Sequence, residues 1–268
     1  MAYEILVLDI DGTLTNSQKE ISEKTLDAIL KIQKRGHKVV LASGRPTPGV
    51  LPIADKLKLQ EYEGYILSFN GAKIINCKTG DIIFERTLPK EIIPELYAAA
   101  LKYQVGIISY EGDSVITDME TDEFMEKEAA LNHMPIKKVT DFVKYINFDV
   151  NKCLMTGPAE KMEKVEAAMK EEFGGRISIY RSEPFFLELV PLHVDKAFSL
   201  SKLLDHLGLS KEQMISCGDG YNDLTMIQYA GMGVAMANAQ EAVKKAADYI
   251  TLSNDEDGVA HVINRFIL

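Results

Sequence analysis

The chain has 268 residues, of which 46% are hydrophobic and 26% charged, with a net charge of −10 and a sequence pI of about 5.1. This composition is that of an ordinary globular protein with a sizeable core. A basic footprint for nucleic acid is missing, and so is any apolar run near the roughly 18 residues of a membrane span. Without a leader-like segment or a CxxC pair among three cysteines, we expect a cytoplasmic protein.

The first predicted element is the apolar run Ile5–Leu8, typical of a strand buried on both faces of a parallel sheet. Two carboxylates, Asp9 and Asp11, follow it, and Gly12 comes directly after them. Side chains two apart on extended backbone point to one side, so the two acids should face a common space. Glycine lets the backbone turn and approach a ligand closely. An ordinary Asp-Gly turn would explain the same residues, so the downstream sequence has to decide.

Strand and helix patterns then alternate up to about residue 69. A helix is predicted over 22–36, a buried strand over 37–42, a second helix up to Leu59 and a third strand over 65–69. This rhythm is typical of a parallel α/β sheet. Ser43-Gly44-Arg45 follows the second strand and Asn70-Gly71 follows the third, at the edge where open α/β sheets bind ligands.

The pattern changes from about residue 74 and returns to α/β at Asp195. The intervening segment predicts hairpins, strands over 151–156, 176–180 and 185–190, and helices over 89–103, 121–131 and 157–174, while 139–146 fits no single pattern. We therefore predict an α/β, Rossmann-like parallel-sheet core formed by 1–83 plus 191–268. An α+β, mostly antiparallel domain over 84–190 is inserted into it.

The returning α/β segment carries two more polar clusters. A helix begins near Lys196, and a strand over 213–217 ends in Gly218-Asp219-Gly220, with another helix from Asn222. Short strands over 234–235 and 249–250 and helices over 239–247 and from Asp255 complete the chain. Strand ends of a parallel sheet lie along one edge, so these clusters could converge with those near the N-terminus.

The chemistry of the clusters is complementary. The carboxylates of Asp9, Asp219 and Asp223 suit Mg²⁺, a hard cation that prefers oxygen ligands. A Ser-Gly turn at Ser43 offers a hydroxyl and backbone N–H groups to a phosphate, and Lys196 adds positive charge.

Ordinary roles are available to the same residues. Lys196 could be a solvated helix-start lysine, Ser43 an N-cap and Asp223 an acid favoured by the helix dipole. Arg45 could bind phosphate or pair with a surface carboxylate, and the sequence leaves both readings open.

With these motifs in order, the sequence resembles the haloacid dehalogenase (HAD) superfamily. The motifs are Asp9-Ile-Asp11-Gly-Thr-Leu-Thr, Ala42-Ser43-Gly-Arg, Lys196 and Gly218-Asp-Gly-Tyr-Asn-Asp223. Only 31 residues lie between Asp11 and Ser43, whereas 152 lie between Ser43 and Lys196. The long insertion at the second place is similar to the C2 cap of the Cof-type (YidA-like) sugar-phosphate phosphatases, and the Asn70-Gly-Ala turn also resembles that group.

The resemblance implies a role for each motif residue. Asp9 would be the nucleophile that forms an aspartyl-phosphate, and Asp11 the general acid and base. Mg²⁺ would be held by Asp9, the backbone carbonyl of Asp11, Asp219 and Asp223. Lys196 would act in catalysis and hold phosphate. The other residues implied in phosphate or substrate binding are Gly12, Ser43, Gly44, Arg45, Asn70 and Asn222.

The expected function is hydrolysis of small phosphorylated metabolites, with sugar phosphates favoured. We expect no nucleic-acid or membrane partner. Two alternatives stay open. A phosphosugar mutase would use the same aspartyl-phosphate, and a non-catalytic sensor of phosphorylated metabolites would keep the frame without needing a nucleophile. The sequence does not assign an oligomeric state.

Overall fold

The computed structural model describes residues 3–268. It divides into two compact units: unit 1 contains the described residues up to Phe84 and Asp195–Leu268, and unit 2 contains Glu85–Val194. Unit 2 is thus an insertion in the sequence of unit 1.

Strands β1 to β14 are, in chain order, Ile5–Leu8, Lys38–Ala42, Tyr65–Ser68, Lys73–Asn76, Ile82–Glu85, Gly106–Glu111, Ser114–Thr117, Ile136–Lys138, Cys153–Thr156, Ile177–Glu183, Phe186–Pro191, Met214–Gly218, Met232–Ala235 and Tyr249–Ile250. Helices α1 to α10 are Glu23–Lys34, Thr47–Lys56, Ile93–Tyr103, Glu123–Leu131, Phe142–Tyr145, Ala159–Phe173, Lys196–Leu207, Leu224–Tyr229, Glu241–Ala246 and Gly258–Phe266. Short 3₁₀ turns precede several of these helices, among them Tyr221–Asp223 and Asn254–Glu256.

Unit 1 is built on an eight-stranded sheet in the order β14-β13-β12-β1-β2-β3-β4-β5. The first six strands in that order pair in parallel, whereas β4 pairs antiparallel with β3. The central position of β1 places the residues that follow it between the strand ends of β12 and β2. The predicted parallel α/β core is confirmed.

The apolar run of β1 is buried on both faces of this sheet, as predicted. Ile5 and Val7 belong to the apolar cluster that includes side chains of α7 and α8. Leu6 and Leu8 belong to the cluster that includes side chains of α1 and α10. The alternation follows from the two-residue period of a strand, and it directs Asp9 to the face on which α7 packs.

Unit 2 has its own six-stranded sheet in the order β10-β11-β9-β6-β7-β8. All of its strand pairs are antiparallel except β7 with β8. An apolar cluster between the sheet and helices α3, α5 and α6 forms the core of this unit. The predicted α+β, mostly antiparallel character of the insertion is confirmed.

Several details differ from the sequence prediction. Residues 139–146, which fit no single pattern, contain the one-turn helix α5, and the three-residue strand β8 just before them was not predicted. The helix predicted over 157–174 begins two residues later, at Ala159, with Pro158 as its N-cap. The three cysteines, which the cytoplasmic expectation would make buried thiols, are all free, and Cys153 and Cys217 are buried whereas Cys77 is half-buried. Within residues 3–268, no helix combines the length and the apolar character needed to cross a membrane.

Candidate active site

The carboxyl ends of the parallel strands place the first three motif residues. The backbone N–H of Asp9 donates to the carbonyl of Cys217 at 3.0 Å, which continues the pairing of β1 with β12. The N–H of Ser43 donates to the carbonyl of Leu67 at 2.8 Å, which continues the pairing of β2 with β3. Asp219 follows β12 directly. The sheet thus brings these side chains to one edge.

Lys196 is the first residue of α7, and its side chain is fully buried. The ammonium donates to Asp9 Oδ1 at 2.7 Å, to Asp223 Oδ1 at 2.6 Å and to the Ala42 carbonyl at 2.7 Å. These bonds use all three of its protons. Although burial alone would lower the pKa of Lys196, the charges of Asp223 and Asp9 raise it. Lys196 is therefore a fixed cation, and the reading of a solvated surface lysine is wrong.

The start of α7 is held in place by two contacts. The carboxylate of Asp195 caps the helix by accepting from the N–H of Phe198 at 2.9 Å. The hydroxyl of Ser199 donates to the carbonyl of Gly71 at 2.6 Å, which joins the helix to the turn after β3. Gly71 has φ +106°, and a Cβ there would lie 2.6 Å from the Ser199 oxygen. This turn therefore accepts only glycine without rearrangement.

Asp223 is buried, and both of its oxygens accept hydrogen bonds within the protein. Oδ1 accepts from Lys196, and Oδ2 accepts from the backbone N–H groups of Asp219 and Gly220, each at 2.9 Å. The second pair of bonds closes the loop after β12 around the carboxylate. Asp223 thus fixes both the buried cation and the loop that carries Asp219, and the sequence had offered only the choice between a metal ligand and a helix-start acid.

The carboxylates of Asp9, Asp219 and Asp223 form one acidic cluster, with one oxygen of each lying within 4.8 Å of the others. Burial, followed by the charge of Asp223, raises the pKa of Asp9 well above its usual range. Burial also raises the pKa of Asp219 to about 6, although the hydroxyl of Thr13 donates to its Oδ1 at 2.8 Å. Three acids this close need a cation, and one ammonium supplies a single charge.

The acidic cluster leaves no room for a side chain at position 12. Gly12 has φ +85°, and a Cβ on it would fall 2.4 Å from Asp219 Oδ2. Only glycine lets the loop after β1 come this close to the Asp219 carboxylate.

Asp11 has different surroundings from Asp9. Its carboxylate accepts from Arg45 Nε at 2.8 Å and from Arg45 Nη2 at 2.7 Å, and Lys19 Nζ lies 2.9 Å from its Oδ1. Burial would raise the pKa of Asp11, but the hydrogen bonds and charges of Arg45, and then of Lys19, lower it. Of the two readings of Arg45, pairing with a carboxylate is the one seen, and the carboxylate belongs to the first motif.

Ser43, Gly44 and Asn70 form the opposite side of the site. The Oγ of Ser43 accepts from the backbone N–H of Arg45 at 3.2 Å and so stabilises this turn. The N-cap of α2 is Pro46, so the N-cap reading of Ser43 is wrong. Within residues 3–268, no described group accepts the hydroxyl proton of Ser43. Asn70 has φ 53° and ψ 28°, and its Oδ1 accepts from Asn222 Nδ2 at 3.1 Å.

The structure thus brings all the predicted site residues to one edge of the unit 1 sheet. Thr13 and Lys19 are polar residues at this edge that were not predicted. Thr13 is part of the first motif and could have been noticed as a hydroxyl next to an acidic loop. Lys19 lies in an ordinary polar turn, and no local signal connects it with Asp11. Its role depends on the folded chain.

A buried carboxylate, a fixed ammonium and an acidic cluster at the strand ends of an α/β sheet are typical of a hydrolase of the phosphatase class. The sequence profile of haloacid dehalogenase-like hydrolases matches residues 6–263. The chain therefore belongs to the haloacid dehalogenase-like hydrolase family. It is 32% identical over 269 residues to the Bacillus subtilis protein named "Putative phosphatase YxeH", covering 99% of each chain.

Solved structures agree with this assignment. A haloacid dehalogenase-like hydrolase from Bacteroides thetaiotaomicron is 51% identical, with a TM-score of 0.95, and the match covers 98% of this chain and 99% of the other. The HAD subclass IIB sugar phosphatase BT4131 is 26% identical, with a TM-score of 0.83, over 99% and 100% of the two chains. The chain is thus a HAD-type phosphatase with a cap-type insertion, as the resemblance predicted.

Proposed function

We propose that the protein is a Mg²⁺-dependent phosphatase of small phosphorylated metabolites, with sugar phosphates as the substrate class, and that it works through an aspartyl-phosphate on Asp9. One observation carries this proposal. The Asp9 carboxylate lies at the end of the central strand, with Oδ1 held by the buried ammonium of Lys196. No described residue of 3–268 donates a hydrogen bond to Oδ2, so this oxygen is the one available to attack.

The acidic cluster fits a divalent cation. Its donors are carboxylate oxygens, the ligand type that Mg²⁺ prefers, and they are close enough to share one ion. Asp9 and Asp219 would hold Mg²⁺ together with the backbone carbonyl of Asp11, and Asp223 would support them because its oxygens already accept three bonds. When bound, the ion would offset the repulsion between carboxylate and phosphate.

In the first half-reaction, Asp9 Oδ2 forms a bond to phosphorus while the bond from phosphorus to the leaving oxygen breaks. Asp11, which is a carboxylate while it pairs with Arg45 and Lys19, takes up a proton from solvent when it leaves them and donates it to that leaving oxygen. In the second half-reaction, Asp11 takes a proton from water, which attacks phosphorus and releases inorganic phosphate. Asp9 is then restored as a carboxylate, and Asp11 returns its proton to solvent when it pairs again with Arg45 and Lys19.

The phosphoryl group would be held mainly by hydrogen bonds and charge. The Ser43 hydroxyl and the backbone N–H of Gly44 are the donors that we assign to its oxygens, with Asn70 and Asn222 beside them. Lys196 has no spare proton, because Asp9, Asp223 and the Ala42 carbonyl take all three. It acts through its charge and by orienting Asp9, and it binds phosphate only if one of these bonds is exchanged.

The choice of sugar phosphates rests on BT4131, which is described as a sugar phosphatase. The test is phosphate release from a panel of phosphorylated sugars, polyols and nucleotides, with Mg²⁺ and after EDTA treatment. We expect release from sugar phosphates that stops with EDTA and returns with Mg²⁺. Indifference to chelation would refute the metal assignment.

The same panel separates the two alternatives. A mutase would return an isomerised sugar phosphate without releasing inorganic phosphate. A sensor would bind phosphorylated metabolites without turning any of them over, and the intact nucleophile argues against that outcome.

A further inference from the structure

The carboxylate of Asp11 is held by two cations in unit 1. Arg45 binds it through Nε and Nη2, one to each oxygen, and Lys19 binds Oδ1 from the other side. The side chain of Arg45 is only 12% exposed, so its charge has little water to stabilise it when the pair opens. We call these two residues the Asp11 clamp.

The turn that carries Lys19 is built to present it. Lys19 has φ +62°, a left-handed conformation that a lysine adopts only at an energetic cost. Asn16 stabilises the turn by accepting from the backbone N–H groups of Gln18 and Glu20. The carboxylate of Asp255 accepts from the N–H and the hydroxyl of Ser17 at 2.8 and 2.6 Å. These bonds offset the backbone cost and fix the lysine next to Asp11.

We propose that Lys19 and Arg45 are positioning residues that hold Asp11 in a waiting orientation, and that Asp11 must leave this clamp before it reaches the leaving oxygen of a phosphate ester. This proposal rests on the role given to Asp11 in the proposed function. A carboxylate bound by three charge-assisted hydrogen bonds is fixed in direction, and a general acid must come within hydrogen-bond distance of the reacting oxygen.

Release of Asp11 leaves Arg45 with an unpaired charge at the edge of the site. An anion has to replace the carboxylate, because a nearly buried guanidinium without a negatively charged partner is unfavourable, and the Gly49 carbonyl that Arg45 also contacts is neutral. The phosphoryl oxygens of the substrate are the anion that arrives at that moment. Substrate binding and the release of Asp11 would therefore be coupled, and Lys19, which is 60% exposed, would oppose the release.

The test compares two leaving groups in one enzyme. An alkyl phosphate needs a proton on its leaving oxygen, whereas p-nitrophenyl phosphate has a good leaving group and needs Asp11 much less. The readout is kcat/KM, which covers the steps from free, clamped enzyme to departure of the leaving group. Dividing the alkyl value by the p-nitrophenyl value cancels changes in folding and in general attraction of anions.

In Lys19→Met we expect this ratio to rise by about two- to fivefold, the range expected for loss of one exposed ion pair. Lys19→Arg, which keeps the pair, should leave the ratio near that of the wild type. Asp255→Ala loosens the turn and should raise the ratio by less. Lys24→Met is the matched control, because Lys24 is equally exposed but pairs with Asp257, not with Asp11.

A ratio that is unchanged or lower in Lys19→Met would overturn the proposal, since a clamp that orients Asp11 productively would give that result. Failure of the proposed function gives a different result from failure of the clamp proposal. In that case the wild type would release phosphate from neither ester, whereas failure of the clamp alone leaves both activities in place and their ratio unmoved.

Discussion

Each unit of the molecule buries one lysine between two carboxylates. In unit 1, Lys196 donates to Asp9 and Asp223 at 2.7 and 2.6 Å. In unit 2, Lys152 lies 3.1 Å from the nearer oxygen of Glu188 and 3.8 Å from Glu128. All these carboxylates are at least nine-tenths buried, so burial and pairing alone do not distinguish the two clusters.

Their surroundings do distinguish them. The unit 1 cluster lies at strand ends, where the glycines of two loops allow close approach of the backbone and a third acid, Asp219, stays half-buried. In the unit 2 cluster, Glu128 belongs to α4 and Glu188 to β11, and both are buried. The hydroxyl of Tyr110 donates to Glu128 at 2.7 Å. Lys152 donates a hydrogen bond to Glu188 Oε1 at 3.4 Å, whereas its closer contact with Glu188 Oε2, at 3.1 Å, is not aligned as a hydrogen bond. We therefore assign chemistry to the first cluster and a structural role to the second.

The largest effect is expected from Asp9→Asn. This change removes the nucleophile but keeps the size of the side chain and an oxygen for Lys196. Phosphate release should fall by about a thousandfold or more, while the far-ultraviolet circular dichroism spectrum stays that of the wild type. Turnover within tenfold of the wild type would show that Asp9 does not attack phosphorus.

Lys196→Met tests the buried cation of unit 1. Loss of a fixed charge beside the reacting group should lower kcat by about 10²–10³-fold. Asp9 and Asp223 then share a buried site without their cation, so the thermal midpoint should also fall. Steady-state kinetics together with a melting curve measure both effects. A variant that loses stability but keeps full kcat would show that Lys196, like Lys152, has only a structural role.

Lys152→Met is the matched change in unit 2. It leaves Glu128 and Glu188 buried without a cation, and the free energy of unfolding should fall by about 3–5 kcal/mol. The rate per folded molecule on p-nitrophenyl phosphate should stay unchanged, because Lys152 is buried within unit 2 against Glu128 and Glu188.

A compensated variant serves as the control for Lys152→Met. Adding Glu128→Gln and Glu188→Gln removes the buried charges and should recover much of the lost stability, as measured by urea unfolding. A large loss of rate in Lys152→Met below its melting temperature would instead place the unit 2 cluster in the reaction.

The same contrast shows what the sequence could predict. Asp9, Ser43 and Asp219 could be found because they follow strands next to glycines, where local pattern marks both the strand and its end. Lys196 begins a helix, and the resemblance to a family of known motifs was needed to assign it a role. Lys152 falls within a stretch predicted simply as strand, and nothing local indicates that Glu128 and Glu188 meet it. β8 was missed for the same reason, since three residues stabilised by pairing with β7 carry almost no pattern of their own. The clamp on Asp11 joins residues from two separate loops, so only the folded chain reveals it.

The smallest expected effect concerns Asp219, the half-buried acid that has no counterpart in unit 2. Its pKa is raised to about 6 by burial, and then by the charge of Asp223. Below that pH the folded chain holds a proton on Asp219, and Mg²⁺ has to displace it. The apparent affinity for Mg²⁺ should therefore weaken by up to about tenfold for each pH unit below 6.

The midpoint of the Mg²⁺-induced rise in melting temperature, followed between pH 7.5 and 5, measures this shift. The sign of the proton linkage can be checked in the metal-free protein. The pKa of Asp219 is higher in the folded chain than its ordinary value of 3.8, so this group lowers stability as the pH rises from about 4 to about 6. The Asp219→Asn variant should not show this fall in stability with rising pH, and it should bind Mg²⁺ weakly at every pH. Equal Mg²⁺ midpoints at pH 7.5 and 5 in the wild type would mean that Asp219 is not a ligand, and the distinction between the two clusters would then rest on Asp9 alone.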